Sequence, residues 1–479
     1  MREKYDLIIV GSSFACAFFL KKYLEKTPEG KILVLERGNN DSHAWRIENR
    51  DLMDPSGVVS SQRFQDTYVN HNPEKPWIYT PSFGGSSNCW WACTPRFMPN
   101  DFKLKSLYGV GKDWPISYED LEPYYCDAED IMNIAGSDTH TPFPMSRPYP
   151  QQNHRFTDVD RLIQKKYPDS FFHMPSARTR KATKNRPACC ATGKCNLCPI
   201  DAKFSILNEM SDLFFNHPNV TLQTQSQVID VIMEAGIAKG VNYYTNNKQR
   251  SAYAETVALA ANPIFNAHIL LNTGLDNALI GKYLNEQVAV SCRVDLDGIN
   301  NYNGSTSLTG HGYMLYDGAH RSEHAACIIE TFNIPNIRPE RGRYTQTAMF
   351  KFIFDDIPSL DNKVSTSTDV KIPTIDYKGH SAYVDRGIEN LMNTWESMFD
   401  CLPIENATFS NGVHPTEGHI LGTALMGNNK TDSVVDEKQL VHGTSNLLSL
   451  GASSFSTVSP ANPTLTISAL SLRSADRYF

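Results

Sequence analysis

Residues 5 to 38 constrain the fold more than any other stretch of the chain. YDLIIV (5–10) is a short, nearly continuous apolar run, as a strand buried on both faces requires, and it stops at Gly11. AFFLKKYL (17–24) carries apolar residues at helical spacing, and KILVLERG (31–38) reads as a second buried strand. Strand, turn, helix and strand make a βαβ unit, which predicts an α/β fold. The turn reads GSSFAC against the dinucleotide fingerprint Gly-x-Gly-x-x-Gly: Gly11 is kept, while Ser13 and Cys16 take the second and third glycine positions. The second glycine lets backbone approach a pyrophosphate and the third lets the helix pack on the strand, so small Ser and Cys side chains imply a slightly displaced phosphate. Glu36 ends the second strand 25 residues after Gly11, where a carboxylate accepts from ribose hydroxyls. On these residues alone, any strand–turn–helix of an α/β domain is the competing reading.

The chain's 479 residues, 41% apolar and 20% charged, allow a large core in two to three domains. Net charge is −7 with the basic residues scattered, which excludes a nucleic-acid stripe or a polybasic membrane patch. No apolar run approaches the roughly 18 residues a membrane span needs. MREKYDLIIVGSS enters a strand too early for a secretory signal, so a cytoplasmic chain is expected.

Eleven cysteines include four within PACCATGKCNLCPIDAKFS (187–205): Cys189, Cys190, Cys195 and Cys198. Four thiols in ten positions point to a metal site. Iron–sulfur ligation suits gaps of this length. Zinc would usually show two Cys-x-x-Cys hairpins where one is present, and a disulfide is disfavoured in a cytosolic chain. The polar, Pro-rich stretch 134–188 reads as covering loops. NVTLQTQSQVIDVIM (219–233) alternates as a strand, and ETVALAANPIFNAHILLNTG (255–274) reads as strand, turn and helix. From about 292 to 414 the pattern is mixed, with strands such as TAMFKFIF, marking a second domain.

Three further segments carry a resemblance. YTPSFGGSSNCWWACTPRFMPNDF (79–102), DWPISYEDLEPYY (113–125) and the tail from GHILGTALMG (418–427) through LLSLGASSFSTVSPANPTLTISALSLRSAD resemble the glucose-methanol-choline (GMC) oxidoreductases. Within them the likeness is to the pyranose oxidase, glycoside 3-dehydrogenase and gluconate or fructose dehydrogenase branch. It covers the first 125 residues, 186 to about 290 and the last 65, with the middle matched loosely through DDIPSLDNKV (355–364). The resemblance implies a Rossmann-like FAD-binding domain (1–125, 186–290 and 415–479) and an α+β substrate domain with covering loops (126–185 and 291–414), built on a mixed or antiparallel sheet. It implies His419, in GHILGT, as the catalytic base and Asn462, in ANPTLT, as its partner. It places the cofactor against Gly11, Ser13, Phe14, Glu36, Arg37, Gly84, Gly85, Ser86, Asn88, Cys89, Trp90, Val228, Ala261, Gly451, Ala452, Pro463 and Thr464. His414 and His442 read as structural.

Departures from the family pattern are specific. Asn262 replaces a glycine. Cys89 stands where pyranose oxidases place the histidine bonded covalently to flavin, so either a thioether or an inert buried thiol beside noncovalent FAD is expected, the second being favoured. In the resembling dehydrogenases a similar cysteine-rich stretch carries an iron–sulfur cluster of three irons. Here Cys190, Cys195 and Cys198 would supply three ligands, with Cys189 as spare or as the fourth ligand of a four-iron cluster.

The expected function is FAD-dependent oxidation of a sugar or glycoside ring hydroxyl to a ketone, with electrons relayed through the cluster to an external acceptor. An oxygen-using oxidase producing hydrogen peroxide and a degenerate, non-catalytic subunit are the alternatives. A small subunit and a cytochrome are the expected partners, and co-export with such a subunit would make the complex periplasmic.

Overall fold

The first apolar run forms the strand Lys4–Val10, with its last four residues buried, in the middle of a seven-stranded sheet. The structure is a computed structural model and describes residues 4–479. This strand pairs in parallel with Ile32–Leu35 and through it with Val220–Gln223; on its other side it pairs in parallel with Lys248–Leu259. The last residues of Lys248–Leu259 take Leu447–Ser449 as a parallel neighbour. Its first residues pair with antiparallel Ile237–Thr245, and Ser226–Glu234 follows. Helix Phe14–Lys26 buries an unbroken row from Phe14 to Leu20 and packs on the C-terminal helix Thr464–Tyr478. Burial of each large apolar side chain in that row contributes about 1.5–3 kcal/mol. The two ends of the chain thus cover the same sheet.

The stretch 219–233 differs from the single alternating strand expected. Gln225, with φ +51°, breaks it, and the two halves lie at opposite ends of the strand order.

A second sheet is wholly antiparallel, in the order Phe171–His173, Leu308–Leu315, Cys327–Phe332, Thr347–Phe354, Val288–Leu296 and Ile404–Phe409. Alternate residues of a strand face opposite ways. Cys327, Ile329, Phe350 and Phe352 therefore pack toward helix Ala382–Met398, while Ile328 and Ile353 join the core of the first sheet. The fold is α/β, with the antiparallel sheet laid against the parallel one. The stretch 134–188, expected as loops, contains helix Asp158–Lys166, started by a reciprocal cap between Thr157 and Asp160, and the edge strand Phe171–His173. Among the described residues no helix is long and apolar enough to cross a membrane.

Candidate active site

A cavity of about 450 Å³ lies between the two sheets, and its wall joins the ends of the parallel strands to the face of the antiparallel sheet. At one end stand Gly11, Ser12, Ser13 and Phe14, where the first strand turns into its helix. Gly11 has φ +97°, and a Cβ there would lie 2.7 Å from the carbonyl oxygen of Ala260, so only glycine fits. Helix Phe14–Lys26 directs the free N–H groups of its first turn toward this end, a ready site for anionic phosphate. The departure at Ser13 has a local reason: a Cβ on Gly85, φ +51°, would lie 2.6 Å from Ser13 Cβ, so serine fills the space that glycine leaves in the facing turn.

Ser12 ties the dinucleotide end together. Its hydroxyl donates to Glu36 Oε2 at 2.6 Å and accepts from Gly84 N–H at 3.1 Å, while Gly38 N–H donates to Glu36 Oε1 at 2.8 Å. Burial raises the Glu36 carboxyl and these donors oppose the rise. Arg37 lies over the Phe265 ring at 4.4 Å, and its Nη1 is buried with no hydrogen-bond partner among the described residues. Asn262 also has a local reason: its Oδ1 accepts from Ile264 N–H and Phe265 N–H, capping helix Pro263–Thr273, which a glycine could not do. An anion-binding helix start, a glycine-only turn, a carboxylate at the strand end and an unused guanidinium donor fit the ADP part of FAD.

Of the residues expected at the cofactor, Gly11, Ser13, Phe14, Glu36, Arg37, Gly85, Ser86, Cys89, Trp90, Val228, Ala261, Ala452, Pro463 and Thr464 line the cavity. Gly84, Asn88 and Gly451 do not reach its wall and act behind it. Asn88 donates to the carbonyls of Phe83 and Gly85, and Gly451, at φ +74°, leaves 3.0 Å between a built Cβ and Ala15. Lys203 Nζ donates to the carbonyls of Asn88, Trp90 and Asn196, fixing that turn. Burial raises the Cys89 thiol, which keeps it neutral.

At the other end stand His419 and Asn462. Two consecutive residues hold His419 from the start of the strand Val288–Leu296. Glu286 accepts from the backbone N–H of Glu417 at 2.9 Å and of His419 at 2.8 Å, and from the Thr416 hydroxyl at 2.8 Å. Lys75 pairs with the same carboxylate. Gln287 meets the His419 ring at Nδ1, 2.5 Å from its Oε1. The Gln287 amide nitrogen donates to the carbonyls of Ser459 and Ala461, so its oxygen faces the ring and Nδ1 carries the proton. Nε2 is then the basic nitrogen. Burial, with Lys351 second, pulls His419 down to about 4, so the ring is neutral near pH 7.

Beside them the antiparallel sheet presents charge. Glu330 and Lys351 are cross-strand partners, and Lys351 pairs with Glu417. None of Gln287, Glu286, Glu330, Lys351 and Glu417 was expected from the sequence, and Ser12 was equally missed; only the doubled serine of GSS hinted at it. His414 Nε2 meets the Ser291 hydroxyl at 2.9 Å and His442 Nε2 the Ser433 hydroxyl at 3.0 Å, both outside the cavity wall.

The four clustered thiols do not form the ligand set expected of them. Among the described residues no group of three or more Cys, His, Asp or Glu side chains stands where it could hold a metal ion. The backbone reverses at Ala191, φ +51°, and Gly193, φ +74°; Cys190 is exposed, while Cys195 and Cys198 are buried. Cys189 instead meets the Thr306 hydroxyl at 3.5 Å, and Cys198 Sγ accepts from Ala202 N–H at 3.3 Å.

A cleft with a helix start and a glycine-only turn at one end and a neutral, oriented imidazole at the other is the candidate active site. Residues 367–471 match the family model described as GMC oxidoreductase. The chain is 26% identical to the fructose dehydrogenase large subunit of Gluconobacter japonicus, over 98% of this chain and 97% of that one. It is 24% identical to a 6'''-hydroxyparomomycin C oxidase of Streptomyces lividus, over 98% and 90%. In structure it is similar to an FAD-dependent oxidoreductase from Chaetomium thermophilum, with TM-score 0.69, 14% identity and coverage of 99% and 98%. Residues 367–471 thus resemble the GMC oxidoreductases, and the relatives that the chain resembles along nearly its whole length are named as sugar and aminoglycoside dehydrogenases and oxidases.

Proposed function

We propose that this protein oxidises a CH–OH group of a sugar or glycoside to a carbonyl, with FAD bound along the cleft from Gly11 to Asn462. Bound FAD supplies the hydride acceptor. The chain's residues do the rest. His419 Nε2 accepts the hydroxyl proton as the carbon gives up hydride, and the Asn462 amide holds the substrate oxygen. Gln287 keeps the accepting nitrogen facing the cavity, and the Glu330 charge favours the imidazolium that results. The observation that carries this reading is the His419 ring, fixed in one tautomer at the end of a dinucleotide cleft. Anaerobic mixing with a panel of sugars, followed at the flavin absorbance, tests it. His419→Ala slows that bleaching by about 10²–10⁴ with FAD still bound; full activity in the variant refutes the assignment.

Where the electrons go next is a separate matter. A relay at Cys189, Cys190, Cys195 and Cys198 is supported by the cysteine-rich stretch of the resembling dehydrogenases and by the spacing of the four thiols, and no step here passes through it; iron and acid-labile sulfide in the purified protein decide it. Peroxide formed under air, without an added acceptor, would mark an oxidase, the activity named for the Streptomyces lividus relative. The Gluconobacter relative is named as a large subunit, which supports a search for a partner chain by native-mass measurement.

A further inference from the structure

The wall beside His419 and Asn462 is built from one row of cross-strand neighbours. His311, Glu330 and Lys351 are register partners across three adjacent strands, and Ser291 continues the row on the fourth. Glu330 shares its sheet face with Ile328, and Lys351 with Ile353, the face that meets the parallel sheet. Glu330 and Lys351 line the cavity together with Glu417, His419 and Asn462.

The row is charged, buried and left incomplete. Lys351 is committed to Glu417. Glu330 is 4% exposed, and its Oε1 lies 3.5 Å from His311 Nε2 without a hydrogen bond. Burial opposes ionisation of Glu330, but His311, Lys351 and the Asn462 amide beside it outweigh burial and hold it below the ordinary glutamate value. Glu417 Oε1 and Asn462 Oδ1 also have no partner among the described residues. On the residues that line the cavity at this end, the unpartnered atoms are acceptors, two carboxylate oxygens and one amide oxygen, while the unpartnered His311 ring nitrogens lie behind the wall. Two carboxyls, Glu330 and Glu417, share one ammonium on the wall, and burial raises the Glu417 carboxyl while Lys351 opposes the rise. An unsatisfied buried acceptor is costly, and a ligand relieves that cost only by bringing donors. An anionic group brings no donor to these oxygens, and an isolated alcohol has its single donor taken by His419.

We propose that Glu330 is a specificity-determining residue that accepts a hydrogen bond from the hydroxyl next to the one being oxidised, so that the enzyme requires a 1,2-diol unit. This rests on the alcohol-oxidation reading above and narrows it to neutral polyols. The donor-rich ligand satisfies Glu330 and is thereby held with its neighbouring carbinol at His419. A site built to hydrogen-bond a substrate hydroxyl rejects an analogue lacking it, because the buried acceptor is then left unpaired.

The test uses the FAD-loaded protein and two simple probes, cis-1,2-cyclohexanediol and cyclohexanol, with anaerobic flavin reduction as the readout. The wild type is expected to favour the diol by about 10²-fold or more in kcat/KM. In Glu330→Ala that ratio is expected to collapse to within about fivefold, and Glu330→Gln, which keeps shape and an acceptor oxygen, to fall between. FAD content confirms that each variant is folded, and the glutamine variant carries the test if the alanine variant does not fold. A ratio unchanged in the folded variants, a wild type that does not discriminate, or trans-2-aminocyclohexanol outrunning the diol overturns the proposal. If neither alcohol nor any sugar reduces a flavin that dithionite reduces, the oxidation reading itself fails along with it.

Discussion

Gln287 fixes the tautomer of His419. Its amide oxygen sits 2.5 Å from ring Nδ1, and its amide nitrogen is held by two backbone carbonyls, so the side chain cannot turn over without losing both. A histidine with Nδ1–H bound in this way presents a lone pair at Nε2, and the cavity lies on that side. Gln287 is a positioning residue: it acts on the substrate only through the ring.

The pH dependence follows from the His419 value of about 4, set first by burial. The ring is neutral and competent above that value and protonated below it. Flavin reduction by substrate is therefore expected to hold its rate down to about pH 5 and to fall tenfold per unit below about 4, in stopped-flow pH jumps.

Substituting Gln287 separates positioning from bulk. Gln287→Glu sets a carboxylate against Nδ1–H and favours the imidazolium, so the acid limb is expected to move up by about 1–3 pH units. Gln287→Leu removes the acceptor and frees the tautomer; the rate is expected to drop about 10²-fold without that upward shift. Identical profiles for both variants would show that Gln287 only fills space.

Glu286 gathers a cation and four N–H or O–H donations onto one carboxylate that is 1% exposed, counting both contacts of the Thr416 hydroxyl. Burial already draws Lys75 down to about 7, so Glu286→Gln, which removes its paired carboxylate, strands what charge it carries at neutral pH and is expected to destabilise by about 1–3 kcal/mol, read from urea midpoints. Adding Lys75→Met, which removes the stranded charge, is expected to recover part of the loss.

Gly11→Ala puts a Cβ 2.7 Å from a backbone oxygen at φ +97°. Strain of this kind costs about 1–3 kcal/mol, and it falls on the turn that meets the pyrophosphate. The variant is expected to purify with a lower ratio of flavin to protein absorbance than the wild type.

The Cys89 thiol is kept protonated by burial, and a protonated thiol is a poor nucleophile. Denaturation is expected to release all the FAD into the supernatant; yellow colour that stays with the precipitated chain would contradict this.

The sequence shows the parallel sheet more plainly than the antiparallel one, for a physical reason. Strands Lys4–Val10 and Ile32–Leu35 are buried on both faces and so appear as apolar runs with glycine at their ends. Glu330 and Lys351 stand singly as charged residues in the strands CIIETF and TAMFKFIF, where a polar residue looks the same whether it faces water or a cavity. Only the packing of one sheet against the other makes them inward-facing. Gln287 is equally silent, since its partner ring is 132 residues away. The cysteine run misleads in the opposite direction: close spacing suggests a ligand set, but among the described residues none forms, with Cys190 exposed while Cys195 and Cys198 are buried. Ser13 and Asn262 look like lost glycines until Gly85 and helix Pro263–Thr273 show what each serves.

Because Glu286 and Gln287 open a strand of the antiparallel sheet yet grip the turn that carries His419, the two segments form a single unit of inheritance. A recombinant that takes its antiparallel sheet from one homologue and residues 410–479 from another would pair a foreign bracket with a native imidazole. Breakpoints that keep residues 286–287 and 416–419 from the same parent are the ones from which active chimaeras should emerge.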